Sequence, residues 1–387
     1  MDRVQKLARR QDVQEVLDGY RDACAEIVDL AVAIQQIPAP TFDEEARAGF
    51  IETQFVERGL QDVQQDELHN VYGRFRGAGE QEPLFVTAHT DTVFSKETDH
   101  AVRRHGGQVH GAGIADNSMG VAALLTLVES IRDLGLRFSR DIWFVANVGE
   151  EGLGDLRGMR AVLDRFGDRG HYIVLEGGLY GYVCHQAIGV RRYRIAVDGP
   201  GGHSWGAFGT PSATHALGRL ITAIDDLEVP ESPKTTYNVG VVEGGTTINA
   251  IAQAAQLQLD LRSEDGRALN TLVSQVRKLV RQANEQADIS VCMTLIGDRP
   301  AGQISRDTPL VQWAVSALEE MGCTEMEFTV GSTDANIPLS RGLPAVCIGI
   351  TQSGNTHRPD EYMETEPIPL GVGQALLLTL AAAGVET

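Results

Sequence analysis

The feature that most constrains the fold is the segment of residues 84–91, LFVTAHTD, in which apolar and β-branched residues run directly into His89. Such a run predicts a buried strand. In open α/β sheets, ligands bind beyond the carboxyl ends of the strands. We therefore expect His89 to lie at the edge of a binding cleft. Asp91, two residues later, is placed to orient the imidazole of His89.

Two further apolar runs end on acidic residues. Residues 141–148, DIWFVANV, lead into the loop Gly149-Glu150-Glu151-Gly152, and residues 172–176, YIVLE, end on Glu176. Apolar helical patterns, such as residues 118–134, alternate with these strands. The alternation predicts an α/β fold with a doubly wound, mostly parallel sheet.

The pattern changes between residues 188 and 302. There we predict the order strand, helix, strand, strand, helix, strand, which is typical of a small α+β sandwich with an antiparallel sheet. The α/β alternation resumes afterwards. We therefore predict one catalytic domain formed by residues 1–187 and 303–387, interrupted by an inserted domain of residues 188–302. Within the first domain, Thr41 is expected to cap a helix at residues 43–58, and Asp334 another at residues 334–340.

Composition limits the classes of partner. The formal net charge of −20 argues against nucleic acid and against anionic membrane surfaces. The five cysteines are scattered and form no C-x-x-C pair, which predicts free thiols in the reducing cytoplasm. The charged N-terminus is unlike a signal peptide, and we find no apolar run of 18 residues that would span a membrane.

The acids at the predicted strand ends raise a problem of charge. Asp116, Glu150, Glu151 and Glu176 in one cleft would repel one another by about 4 kcal/mol per pair at ~4 Å and an effective dielectric near 20. Two divalent cations would neutralise four carboxylates, and mixed histidine and carboxylate ligands suit zinc. Simpler interpretations also exist, because Asp116 could cap the helix of residues 118–134 and the Glu-Glu pair could lie in a solvated loop.

A different chemistry is suggested by residues 201–206, GGHSWG, which contain the G-x-S-x-G pattern around Ser204. In serine hydrolases this nucleophile elbow requires a helix that begins directly after the serine. Here Gly206, Gly209 and Pro211 delay the predicted helix to about residue 211. A serine hydrolase is thus the alternative function. A non-catalytic protein that binds metal or peptide on the same fold is a third possibility.

Taken together, the motifs resemble the dinuclear zinc exopeptidase and deacylase family that includes peptidase T, carboxypeptidase G, aminoacylase and succinyl-diaminopimelate desuccinylase. The resemblance covers nearly the full chain. It depends on these segments in this order: HTD (89–91), GAGIAD (111–116), GEEG (149–152), Glu176, GGHS (201–204), INAIA (248–252), DLR (260–262), GSTDAN (331–336) and NTH (355–357).

The resemblance implies a role for each matching residue. Asp116 would bridge two metal ions, most often Zn²⁺ with Co²⁺ or Mn²⁺ as substitutes. Asp91 would orient the metal ligand His89. Glu150 would be the general base that takes a proton from water and passes it to the leaving nitrogen. The remaining metal ligands would be His89 and Glu176 for one ion and Glu151 and His357 for the other. The peptide bond after Asp116 is often cis in this family.

The resemblance also implies a substrate class and an assembly. The substrate would be a small peptide or an N-acyl amino acid, and the enzyme a cytoplasmic homodimer joined through the inserted domain. His203, Asn249 and Arg262 would hold the oxyanion or the substrate carboxylate, with His203 acting across the dimer. A Glu at position 176 is typical of deacylases and carboxypeptidases, whereas GSTDANIP is similar to the peptidase T branch. The sequence therefore leaves open which end of the substrate is recognised.

Overall fold

The computed structural model describes residues 2–79 and 81–385 of the chain. The fold consists of two compact units. One runs to Ala187 and resumes at Gln303, and the other comprises Ile188–Gly302.

The first unit alternates helices and strands along its N-terminal part. Its helices are α1 Arg3–Ala8, α2 Gln11–Asp22, α3 Cys24–Gln35, α4 Glu45–Glu57, α5 Gly120–Leu134 and α6 Arg157–Phe166. Its strands are β1 Gln61–Gln65, β2 Val71–Phe75, β3 Leu84–His89, β4 Arg103–His105, β5 Gln108–His110, β6 Ile142–Asn147, β7 His171–Glu176 and β8 Tyr182–Ala187. Short irregular helical segments at Ile114–Met119 and Gly152–Gly154 precede α5 and α6.

The inserted unit contains strands β9 Gly189–Asp198, β10 Gly202–His203, β11 Thr235–Gly244, β12 Ala250–Ile251, β13 Ala254–Ser263 and β14 Ser290–Arg299, with helices α7 Ala213–Asp225 and α8 Gly266–Ala283. After the short strand β15 Gly302–Gln303, the first unit continues with α9 Pro309–Glu320, β16 Glu327–Gly331, α10 Asn336–Ser340, β17 Ala345–Gly349, β18 Ser353–Gly354, β19 Tyr362–Glu364 and α11 Ile368–Ala383.

The main sheet of the first unit has the order β1-β2-β6-β3-β7-β17-β8, and β16 also pairs with β8. The neighbours β6, β3, β7 and β17 are all parallel, whereas β1, β2 and β8 add antiparallel pairs. His89 pairs in register with Asn147, and Gly349 with Glu176. The carboxyl ends of four parallel strands therefore meet at one edge of the sheet.

Both faces of this sheet are covered, as a doubly wound fold requires. On β3, Leu84, Val86 and Ala88 pack into one apolar cluster together with residues of α5 and α11. Phe85 points to the opposite face, into a second cluster with Met159 of α6. Because successive side chains of a strand alternate between faces, a strand covered on both sides reads as a continuous apolar run. The predicted α/β class and doubly wound sheet are confirmed.

The inserted unit is a two-layer α+β sandwich, as predicted. Its antiparallel sheet has the order β11-β13-β9-β14. Leucines 257, 259 and 261 of β13 pack in its own core with residues of α7 and α8. Strands β10 and β12 form a separate two-residue pairing, and β18-β19-β5-β4 make a small antiparallel sheet in the first unit.

Both predicted caps are wrong. Helix α4 has Glu44 at its N-cap position without a side-chain cap, and the Thr41 hydroxyl instead donates to Asp91 Oδ2 at 2.9 Å. Helix α10 begins after Ala335, and Asp334 is fully buried, where it accepts a hydrogen bond from Asn147 Nδ2 at 2.6 Å. In each case the side chain that local spacing predicted as a helix cap forms a hydrogen bond with a residue distant in sequence.

One expectation about membranes needs correction. The helical stretch Ile114–Leu134 is long and apolar enough, by length and composition, to cross a membrane. Of its most apolar window, 83% is buried inside the protein, which is typical of a core helix. The five cysteines are all free, as predicted.

Candidate metal centre

The ends of β3 and β7 bring one histidine and one acid together beside Asp116. The imidazole of His89 is buried, and its Nε2 lies 3.1 Å from Asp116 Oδ1 and 3.6 Å from Glu176 Oε2. The Nδ1 of His89 lies 3.1 Å from the carbonyl oxygen of Asp91. A carbonyl can only accept, so Nδ1 carries the proton and Nε2 is left as the coordinating nitrogen.

A second group of ligands forms on the other oxygen of Asp116. His357 Nε2 lies 3.2 Å from Asp116 Oδ2 and 3.0 Å from Glu151 Oε1. Two groups of three residues could each hold a metal ion, with one ligand atom from each residue and all ligand atoms of a group within 4.8 Å of one another. One group is His89, Asp116 and Glu176, and the other is Asp116, Glu151 and His357. The two oxygens of Asp116 therefore face two separate histidines, which is the arrangement of a bridging carboxylate.

Asp116 does not cap helix α5. The residue at the N-cap of α5 is Met119, and Asp116 has non-helical dihedral angles within the irregular segment before it. The Asp116–Asn117 peptide bond is cis, as the resemblance implies. The Asn117 side chain donates to the carbonyl of Leu175 at 2.9 Å and accepts from the N–H of Gly177 at 2.8 Å. These two bonds fasten the segment of Asp116 to the end of β7, beside Glu176.

Asp91 holds the loop that carries Glu150 and Glu151. Its Oδ1 accepts the backbone N–H of Glu150 at 2.9 Å, and its Oδ2 accepts that of Glu151 at 3.0 Å. Oδ1 is 3.5 Å from His89 Nδ1, farther than the carbonyl oxygen of Asp91 itself. The Asp91 carboxylate therefore lies near His89, and its hydrogen bonds fix the position of the two glutamates; its role in orienting His89 stays a prediction. Both glutamates are buried in this loop, which excludes the simple solvated loop.

The glycine before this pair is required by its backbone. Gly149 has φ +69, and a Cβ placed there would lie 2.3 Å from Arg157 Nη1 and 2.7 Å from Arg157 Cγ. Arg157 Nη2 donates to both carboxylate oxygens of the fully buried Glu44, at 2.7 and 2.8 Å. The Arg157 side chain therefore passes directly over the start of the loop, and only glycine leaves it room.

The electrostatics of the cluster follow from burial and from the paired imidazoles. Burial raises the pKa values of Glu151 and Glu176. Burial also opposes a charge on His89, yet its hydrogen bonds to acids hold its pKa well above the usual value. Hydrogen bonds to Asp116 and Glu151 raise the pKa of His357 to about 10. The acids therefore attract positive charge to their centre, and their mixed oxygen and nitrogen donors fit divalent metal ions such as zinc.

The sequence did not predict that Glu361 and Asp334 are buried at this edge of the sheet. Glu361 accepts backbone N–H groups from Ala115 and Asp116 with Oε1 and from His357 with Oε2. Burial raises the pKa of the Glu361 carboxyl and of the Asp334 carboxyl to about 7 each. Glu361 follows His357 by four residues, but its partners are backbone groups, which leave no pattern in a sequence.

In the inserted unit, the structure brings His203 and Asn249 together. Strand β10 pairs with β12, and the N–H of Ser204 donates to the carbonyl of Asn249 at 3.0 Å. His203 Nδ1 accepts the N–H groups of Trp205 and Gly206 at 3.2 Å each, so Nε2 carries the proton and can donate. Helix α7 begins only at Ala213, so Ser204 does not form a nucleophile elbow.

Arg262 lies apart from that pair. Arg262 lies near the C-terminal end of β13, about 27 Å from Ala254 at the start of that strand, at ~3.4 Å per residue. Its Nε and Nη2 donate to the two carboxylate oxygens of Asp260, at 2.7 and 3.2 Å. Within the inserted unit, therefore, the three predicted substrate contacts form two separate groups.

Comparison with known proteins shows the family to which the chain belongs. The family described as peptidase family M20/M25/M40 matches residues 85–380. Carboxypeptidase G2 of Pseudomonas sp. (strain RS-16) is 25% identical over 329 residues, which cover 81% of this chain and 77% of that protein. Acetylornithine deacetylase of Edwardsiella ictaluri (strain 93-146) is 24% identical over 305 residues, 73% of this chain and 76% of that protein.

A solved structure shares the fold. The crystal structure of a tripeptidase from Staphylococcus aureus superposes with a TM-score of 0.79 at 21% identity, and covers 93% of this chain and 98% of the tripeptidase. The resemblance inferred from the motifs is confirmed by the family match. The chain therefore belongs to the peptidase family M20/M25/M40, whose members are typically metal-dependent, and it is a hydrolase that acts on peptide or amide bonds.

Proposed function

We propose that this protein is a zinc-dependent amidohydrolase that cleaves the amide bond of small peptides or N-acyl amino acids. The observation that carries the proposal is the placement of Asp116 between His89 and His357, with one carboxylate oxygen directed to each imidazole. A carboxylate shared by two histidines is the geometry expected of a ligand that bridges two cations.

The ligand set divides into two positions. His89, Asp116 and Glu176 would hold one ion, and Asp116, Glu151 and His357 the other. The three carboxylates and Glu150 carry four negative charges when ionised, which two divalent cations balance. Bound metal ions would polarise the scissile carbonyl and lower the pKa of water towards neutrality.

Glu150 is the residue we assign to proton transfer. Its backbone is fixed by Asp91, directly beside the proposed ligand Glu151, and the residue is 7% exposed. A carboxylate at this position can take a proton from the attacking water and deliver it to the leaving nitrogen. The nitrogen then leaves as a neutral amine and not as an anion. By the family resemblance, His203 would hold the oxyanion across the dimer, and its Nε2–H is a donor of the required kind.

The adjacent glutamates make the sharpest test, because the proposal gives them opposite roles. Glu150→Gln should retain two zinc ions per chain by elemental analysis and lose about 10²- to 10⁴-fold in kcat. Glu151→Gln should lose zinc from one position. Wild-type protein treated with a chelator should become inactive and recover with Zn²⁺ or Co²⁺. Wild-type turnover in Glu150→Gln would refute the mechanism.

The substrate class can be settled by a turnover panel. We would compare free-amino dipeptides with N-acylated amino acids of the same C-terminal side chain, because only the dipeptides carry a free amine on the acyl side of the scissile bond. Preference for one set identifies the recognised end. Absence of turnover in the entire panel, with two zinc ions bound, would favour a non-catalytic metal or peptide binder.

The serine hydrolase remains distinguishable by one variant. Ser204→Ala should change kcat/KM by no more than about 13-fold, since a single peripheral hydrogen bond contributes about 0.5–1.5 kcal/mol. Complete loss of activity in Ser204→Ala with zinc still bound would instead support a serine nucleophile. The start of α7 at Ala213, nine residues later, favours the metal mechanism.

We also propose a cytoplasmic homodimer joined through the inserted unit. Strand β11 lies at the edge of its sheet, with Val242 54% exposed. Trp205, Phe208 and Ile248 on nearby loops are 88–101% exposed. Unpaired strand edges with apolar side chains readily pair with another chain. Val242→Lys should give monomers in analytical ultracentrifugation, whereas Val56→Lys, at a similarly exposed valine of α4, should not. A wild-type monomer would refute the dimer.

A further inference from the structure

The structure contains one more buried carboxylate that joins the two halves of the candidate metal centre. Glu361 is fully buried. Its Oε1 accepts the N–H groups of Ala115 at 2.9 Å and Asp116 at 3.0 Å, and its Oε2 accepts the N–H of His357 at 3.3 Å. A single side chain thus holds the backbone of the shared ligand and the backbone of the most exposed ligand.

The loop that carries His357 is exposed, so its position depends on the hydrogen bond from His357 N–H to Glu361. Residues 355–360 are all exposed, and the side chain of His357 is 51% exposed, against 1% for His89. Apart from the contacts of His357, side chains of the loop bond within it, from Asn355 Nδ2 and from Arg358 to the carboxylate of Asp360. His357 itself has a left-handed backbone with φ +67. Glu361 therefore connects this exposed loop to the backbone of the buried Asp116 segment.

We propose that Glu361 is a positioning residue that presets His357 against Asp116 and thereby sets the affinity of the second metal position. This inference rests on the proposed function, because it assumes that the two ligand groups hold metal. Without Glu361, part of the free energy of metal binding would be spent on ordering the exposed loop. Hydrogen-bond partners behind metal ligands typically change metal affinity by about 10- to 100-fold.

The effect should be confined to one position. His89 and Glu176 lie at the ends of β3 and β7, where sheet pairing fixes their backbones. The segment of Asp116, which completes this position, is also held by the two side-chain bonds of Asn117. The first position therefore depends less on Glu361 than the position of His357 does. A substitution at Glu361 should weaken the second metal and spare the first, whereas a general disturbance of the fold would weaken both.

Glu361→Gln is the most selective change. A Gln side chain can keep one oxygen on the N–H groups of Ala115 and Asp116, but its amide NH₂ must then face the N–H of His357, so that two donors oppose each other. The reverse orientation would set the NH₂ against two donors and is less favourable. Glu364→Gln is the matched control, since Glu364 lies three residues later, on β19, and its side chain accepts from Gln108 rather than from the ligand segments.

The experiment is a titration of chelator-stripped protein with Zn²⁺ in competition with a chromophoric chelator, which reports each binding step without measuring catalysis. We expect wild type and Glu364→Gln to bind two ions, and Glu361→Gln to bind the second ion about 10- to 100-fold more weakly with the first step within about twofold. Glu361→Asp, which keeps the charge on a shorter side chain, should fall between them.

A double-mutant cycle separates positioning from loss of folding. In a His357→Ala background the second position is already lost, so adding Glu361→Gln should leave the first binding step unchanged. Equal weakening of both steps in Glu361→Gln, or two unchanged steps, would overturn the inference. Wild-type protein that binds no zinc would instead refute the proposed function.

Discussion

Replacing Asp91 by Asn tests how the loop of Glu150 and Glu151 is held. The two backbone N–H groups of this loop each require an acceptor, and the Asp91 carboxylate supplies one oxygen to each, at 2.9 and 3.0 Å. Asn is nearly the same size but has one oxygen. Whichever way the amide turns, one buried N–H loses its acceptor and faces an NH₂ group.

The size of the effect follows from those two bonds. A hydrogen bond to a charged group contributes about 1.5–3 kcal/mol, and a buried donor without a partner costs about 1–3 kcal/mol. A net loss of about 3 kcal/mol corresponds to a decrease of about 150-fold in kcat/KM if the displaced loop carries the general base. Thr41→Val removes one hydroxyl from Asp91 Oδ2 and should cost about 1 kcal/mol, or about fivefold.

The assay is kcat/KM for a substrate that the wild type cleaves, at saturating zinc, with zinc content measured on the same samples. We expect the order wild type, Thr41→Val, Asp91→Asn, with activity falling at each step. If Asp91→Asn stays within threefold of wild type while its thermal unfolding is unchanged, the carboxylate is not what holds the loop, and the reasoning fails.

Two other predictions follow from the same edge of the sheet. Gly149→Ala should destabilise the protein by about 3 kcal/mol, because a Cβ at this position displaces Arg157 from the buried Glu44. The control is Gly135→Ala, at φ +60 with no atom within 4 Å of the added Cβ, which should cost about 1 kcal/mol. Denaturant unfolding measures the free energy of unfolding of both variants. Metal uptake at pH 8 should release at least one proton, because His357 has a pKa of about 10, is protonated below that value and must be neutral to bind. The raised pKa of His89 adds to this release. Calorimetry in buffers of different ionisation enthalpy counts the protons, and zero release would contradict the assignment.

Local patterns were sufficient to predict the strands that lead to the metal centre. The run before His89 predicted β3 as it is found, since a strand covered on both faces must be apolar throughout. Strand β8, sequence YVCHQA, was missed because polar residues interrupt its apolar pattern. The hairpin of β4 and β5 was also missed, although Gly106 and Gly107 between them are a recognised hairpin signal.

Side-chain partners distant in sequence could not be predicted in this way. Thr41 and Asp334 have spacings typical of helix caps, yet they bond to residues 50 and 187 positions away. Glu361 reaches across 245 positions to the backbone of Asp116. A sequence pattern describes what a segment can do locally, whereas a buried carboxylate takes whichever donors the tertiary fold places beside it, because leaving it unpaired is costly.

The order of the proposed ligands along the chain has a consequence for biosynthesis. His89, Asp116 and Glu176 precede the inserted unit, and His357 follows it near the C-terminus. A nascent polypeptide therefore acquires every donor of one position before the ribosome has translated the last donor of the other. We expect a chain that stops short of residue 357 to retain at most one ion, so that full loading with zinc distinguishes finished enzyme from truncated product.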